Sequence, residues 1–66
     1  MKQLKFHLAQ LRKERNMTGK VLSNAAKVSF RTVEHIESGK SNPSIKTLCK
    51  LADALEVAVT DLFSYE

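Results

Sequence analysis

The chain has a single cysteine, Cys49, among 66 residues. A lone thiol rules out an internal disulfide framework and cannot by itself make a thiolate zinc site, which points to a cytoplasmic protein whose hydrophobic core has to suffice. Glycine-rich phosphate loops are absent as well. The two histidines, His7 and His35, have no nucleophile and no acid at a catalytic spacing, so neither catalytic residues nor enzymatic activity are expected. A chain this short buries only about 60% of the surface its unfolded form exposes, too little to enclose a large cleft. No cofactor, metal ion or small-molecule ligand is implied. Long apolar runs are missing too. The start, MKQLKFHLAQLRKER, is interrupted by charge throughout and lacks the roughly 7–15-residue apolar stretch of a signal peptide. Nowhere does the chain approach the about 18 apolar residues of a membrane span, and no membrane partner is expected.

Charge is unevenly placed. Residues 1–50 hold eleven Lys and Arg against three acids (Glu14, Glu34, Glu37), a net +8, whereas residues 51–66 hold no Lys or Arg and four acids (Asp53, Glu56, Asp61, Glu66), a net −4. A basic body suits a polyanion, and an acidic end suits some other task. Hydrophobic residues at 42% and charged residues at 27% are ordinary for a folded domain, so the chain is not expected to be disordered.

With no repeat, low-complexity run or linker, residues 1–66 read as a single domain of short helices. Leu4, Leu8 and Leu11 recur at i, i+4, i+7 and predict a first helix from about residue 2 to Arg15. Asn16 then stops it, as the non-glycine residue most tolerant of the left-handed conformation. Thr18 caps a second helix with Leu22 and Ala26 inward. Ser29 caps a third, with Val28 and Val33 as a hydrophobic staple, Val33 and Ile36 inward, and Gly39 as the stop. After the loop at Lys40–Pro43, Ser44 caps a fourth helix carrying Ile45, Leu48, Leu51, Ala52 and Leu55 on one face. A short fifth helix after Glu56 holds Val59, Leu62 and Phe63. Strand signals are absent, so the expected class is all-α.

Helices two and three are joined by only a few residues, Lys27 and Val28 among them, the layout of a helix-turn-helix. From Leu11 to Phe63 the chain resembles the phage-repressor and Cro class of helix-turn-helix regulators, the xenobiotic-response-element type. The matching marks are Leu11-Arg12, Leu22, Val28-Ser29, Ile36-Glu37-x-Gly39-Lys40, Asn42-Pro43-Ser44, Leu51-Ala52 and Leu62-Phe63. The resemblance implies a compact five-helix, lambda-repressor-like DNA-binding domain with its motif at about 18–38. It implies a homodimer joined by about 56–66, and repression or activation of transcription from the half-sites of double-stranded operator DNA.

A helix turns about 100° per residue. With Val33 and Ile36 inward, Arg31 and Ser38 therefore point outward, Glu34 and His35 flank them, and Phe30 stands on the shoulder. The candidate base contacts are Phe30, Arg31, Glu34 and His35. Arg31 can pair with the O6 and N7 of guanine, with a phosphate contact or a solvated side chain as alternatives. Phe30 either packs on a thymine methyl or folds back on its own domain. His35 donates to a base or phosphate, or is a plain surface histidine; Glu34 accepts from cytosine N4 or repels a wrong phosphate register. Thr18, Gly19 and Lys20 at the start of helix two are the candidate phosphate contacts. Lys27 and Ser29 at the turn join them, and the resemblance implies that Ser38, Lys40 and Ser41 after helix three touch the opposite flank.

The resemblance also implies an ion pair between Arg12 and Glu37 that sets the angle of helix three. The chain departs from the family in having Gly19 where a glutamine braces the DNA backbone and the recognition helix, which leaves a helical protein-interaction or antitoxin-like module as the alternative function. Further departures are Asn16, Lys27 and Glu56 at frequent glycine positions, and Ala58 in place of a capping serine. Ala58, Val59, Leu62, Phe63 and Tyr65 are the candidate dimer surface, with Leu62 and Phe63 also suited to finishing the monomer core.

Overall fold

In the computed structural model, which describes residues 1–40 and 42–66, four α-helices lie between two short strands. The order is β1 (Leu4–Phe6), α1 (Leu8–Glu14), α2 (Gly19–Ala26), α3 (Phe30–Glu37), α4 (Ile45–Leu55), a 3₁₀ turn (Val59–Leu62) and β2 (Phe63–Tyr65). Ser41 lies outside the described residues.

Hydroxyl caps start three of the helices. Thr18 Oγ1 accepts from the Val21 amide at 3.1 Å, and Ser29 Oγ and Ser44 Oγ accept from the Thr32 and Thr47 amides at the same distance. Each satisfies one of the donors that a helix start leaves free. The other ends share one motif. Asn16, Lys27, Gly39 and Glu56 all take positive φ, from 57° to 76°. At each, the amide of the following residue returns to the carbonyl five residues back: Met17 to Arg12, Val28 to Ser23, Lys40 to His35, Val57 to Ala52. These are Schellman closures, and only one uses glycine.

The core consists of Leu8, Leu22, Ala26, Val33, Ile36, Leu48, Leu51, Ala52, Leu55 and Leu62, drawn from every helix and the 3₁₀ turn. Helix α2 packs on both α3 and α4. Its one buried polar side chain, Ser23, donates to the Lys20 carbonyl at 2.8 Å.

Three expectations need correction. The first helix begins at Leu8, not near residue 2, because Leu4–Phe6 pairs antiparallel with Phe63–Tyr65, with Leu4 opposite Tyr65 and Phe6 opposite Phe63. The alternation Leu4-Lys5-Phe6 puts two apolar groups on one strand face, and the rings of Phe6 and Phe63 meet edge-on with centroids 6.5 Å apart. The fold is therefore mostly helical with a small sheet. In place of a fifth α-helix there is the four-residue 3₁₀ turn. Ala58 has no side-chain oxygen to cap it, and the only capping bond is the Asp61 carboxylate accepting from the Ala58 amide at 3.1 Å. Ile45, placed inward by its spacing, is 73% exposed, since the first residue of α4 extends past the core.

Lys27 and Glu56 each hold a conformation that costs a non-glycine residue about 1 kcal/mol. Lys27 places a cation at the negative end of α2, which is favourable, while Glu56 places an anion at the negative end of α4, which is not. Both Lys27→Gly and Glu56→Gly should raise the melting temperature, by about 4–8 °C per kcal/mol in a domain this small, and Glu56→Gly by more. Thermal denaturation followed by circular dichroism tests this; a fall in either variant contradicts the assignment.

Candidate nucleic-acid interface

Helix α3 has eight residues, too few to hold as an isolated helix in water. Tertiary contacts have to fix it. On one side Val33 and Ile36 are each 1% exposed in the core. On the other, Arg31, Glu34 and Ser38 are exposed and His35 is half-buried. Three residues connect α2 to α3: Lys27 in the left-handed conformation, half-buried Val28 and the cap Ser29.

At its far end α3 is joined to α1 through Arg12. The guanidinium Nε donates to Glu37 Oε2 at 2.7 Å, and a second nitrogen donates to Oε1 at 3.0 Å. A third donates to the Met17 carbonyl at 3.3 Å. Both charged side chains are only 18% exposed, and the bidentate fork is the strong form of a charged hydrogen bond. The hydrogen bonds to Glu37 outweigh partial burial and hold the Arg12 guanidinium above its ordinary range.

At the near end, Gly19 opens α2 directly beside the first residue of α3. A Cβ on Gly19 would stand 3.0 Å from Phe30 Cε1, 3.7 Å from Cδ1 and 3.9 Å from Val33 Cγ1. The Phe30 ring thus lies back on α2, yet the residue is still 41% exposed. No sequence pattern pointed to this contact; the missing glutamine at position 19 was the one available signal.

The remaining expected residues fall into distinct places. Thr18, Lys20, Ser29 and Lys40 are exposed, although the hydroxyls of Thr18 and Ser29 are engaged as helix caps. Ser38 Oγ donates to the His35 carbonyl at 3.2 Å. Lys27 lies with Lys50 and Asp53 on a shallow groove between the end of α2 and α4. In the candidate dimer set, Leu62 is 1% exposed and belongs to the core. It cannot reach a partner, because the 3₁₀ turn directs it inward. Phe63 and Val59 are half-buried against that core, and Ala58 and Tyr65 are exposed. Lys2 Nζ lies 5.7 Å from the centre of the Tyr65 ring. Among the described residues no group of His, Cys, Asp or Glu is placed to hold a metal ion, and no helix is long and apolar enough to cross a membrane.

Two helices joined through a tight left-handed turn, the second buried on one side and polar on the other, define a helix-turn-helix unit. The chain belongs to the helix-turn-helix family HTH_3, whose model matches residues 8–62. It is 38% identical over 55 residues to the HTH-type transcriptional regulator DdrOP3 of Deinococcus deserti, covering 83% of this chain and 43% of that protein. It is 34% identical over 59 residues to the cryptic phage CTXphi transcriptional repressor RstR of Vibrio cholerae, covering 89% of this chain and 53% of the relative. The chain thus spans about half the length of these two curated relatives. Among solved structures it is similar to the restriction-modification controller protein C.AhdI of Aeromonas hydrophila. There the TM-score is 0.83 and the identity 28%, with 86% of each chain covered.

If the Arg12–Glu37 pair holds α3, then Arg12→Ala or Glu37→Ala should each cost about 2 kcal/mol, since each strands a half-buried charge. The double variant should cost clearly less than the two together. Urea denaturation of the four proteins measures the coupling; additive costs would show that the pair holds nothing.

Proposed function

We propose that this chain is a sequence-specific, DNA-binding transcriptional regulator without enzymatic activity that places α3 in the major groove and acts on operator DNA as a homodimer. The observation that carries the reading is the polar face of α3 (Arg31, Glu34, with Ser38 just past its end), backed by buried residues and by the Arg12–Glu37 pair. A groove about 12 Å wide admits one helix, and base edges there are read by hydrogen bonds. In this arrangement Arg31 reads guanine, and Phe30, Glu34 and His35 meet neighbouring bases.

Phosphates are bound from both flanks. The first amides of α2 have no partner within the helix, so those of Gly19 and Lys20 are available to an anion beside the positive helix end. Lys40 and Ser38 serve the opposite flank, with Thr18, Lys20, Lys27 and Ser29 adding contacts or positive charge. Names of relatives support the reading: two are transcriptional regulators or repressors, and a structural neighbour controls a restriction-modification system. One eight-residue helix makes few base contacts, so useful specificity calls for two half-sites about 34 Å apart and hence two copies. Ala58, Val59, Phe63 and Tyr65 form the proposed interface, without Leu62. The alternative, a helical protein-interaction or antitoxin-like module, rests on Gly19, where Phe30 Cε1 lies 3.0 Å from the position of a Cβ.

Fluorescence anisotropy with a duplex at two salt concentrations tests the function. Affinity should fall steeply with salt, as each phosphate contact adds about 0.9 to the logarithmic slope. Lys40→Ala should weaken all sequences alike and reduce the slope by about 1. Arg31→Ala should cost about 1–3 kcal/mol on the preferred site and relax one base position. Absence of binding at low salt contradicts the reading, and an Arg31→Ala effect equal on all sequences contradicts the role of that residue.

A further inference from the structure

The side chain that position 19 lacks is what gives the Phe30 ring its place. Gly19 is not needed for its backbone, because Gly39 is the glycine with positive φ. It opens α2, where any residue fits a helix and where alanine is the better helix former. Leaving the position bare opens the space that Phe30 Cε1 occupies, 3.0 Å from where a Cβ would be. The ring thereby lies against α2 at Gly19, and the residue remains 41% exposed.

An aromatic ring fixed in that way, between the free amides of α2 and the polar face of α3, has no hydrogen bond to give to a base. Its exposed side is apolar and lies where hydration is lost if α3 enters a groove. The apolar group that a major groove offers is the 5-methyl of a pyrimidine. The geometry points to Gly19 as the positioning residue for Phe30, and to the pair as a reader of one pyrimidine 5-methyl group per half-site. This rests on the reading that α3 enters the major groove. Folding back on the domain and contacting thymine are then one arrangement, since the packing on Gly19 holds the ring where a methyl can meet it.

The experiment uses the full chain and a preferred duplex selected from a random pool, with each thymine replaced in turn by uracil. One replacement per half-site should weaken binding about fourfold, the equivalent of ~0.8 kcal/mol for one buried carbon. In Gly19→Gln the ring has to move, and that uracil penalty should disappear. Gly19→Ala, which displaces the ring by only a few tenths of an ångström, should keep part of it. Phe30→Ala should abolish the penalty and make Gly19→Gln without effect on it, and this second route stands even if one variant folds poorly. If the wild type binds and depends on salt but no uracil substitution matters, or if Gly19→Gln keeps the full penalty, the inference is overturned and the function reading stands. If no duplex is retained at low salt, both are overturned.

Discussion

Everything the outward face of α3 can do depends on holding an eight-residue helix at one angle. Two buried side chains, Val33 and Ile36, seat it along one stripe. The Arg12 fork adds a tie at its end. It joins α1 to the last residue of α3 and, through the Met17 carbonyl, to the loop that leads into α2. Three elements are thereby tied by one side chain. Because the pair is mostly shielded, its geometry is worth more than that of an exposed ion pair, and losing either partner leaves a charge with poor solvation.

Helix ends provide the second constraint. In so short a chain a large fraction of residues lie at a start or a stop, so the terminal groups that a helix leaves unsatisfied are a large share of the polar groups to be paired. Hydroxyl caps start α2, α3 and α4, and Schellman closures finish all four helices. Three of those closures place Asn16, Lys27 and Glu56 in a left-handed conformation. The half-buried apolar residues that follow, Met17, Val28 and Val57, pack against the core, which offsets part of that strain.

Features with local causes were legible in the sequence. Thr18, Ser29 and Ser44 as caps, Asn16 and Gly39 as stops, and the inward pair Val33 and Ile36 all follow from chemistry within a few residues. The Arg12–Glu37 pair was legible only through the family resemblance, since nothing local joins positions 25 apart. What escaped was non-local. Leu4 mimics a helical stripe with Leu8 and Leu11, and only its partner strand near the other end of the chain reveals a sheet. Ile45 was misplaced because helical spacing does not say where a core ends, while of the two places open to Leu62 the core is the one it takes. The contact of Phe30 with Gly19 depends on how α2 and α3 cross, which neither helix alone specifies.

The charge split acquires a spatial sense from the fold. The acidic end shares the small sheet with the first residues of the chain, and Lys5 lies 4.0 Å from Glu66, so part of the basic charge is answered locally. Among the described residues the cations beside α3 include Lys20, Lys27, Arg31 and Lys40, all exposed. The most direct test of the account is an amide chemical-shift titration of the labelled protein with its selected duplex. The largest changes should fall on Gly19 and Lys20 and along Phe30 to Lys40. Largest changes within residues 56–66, with α3 unmoved, would contradict it.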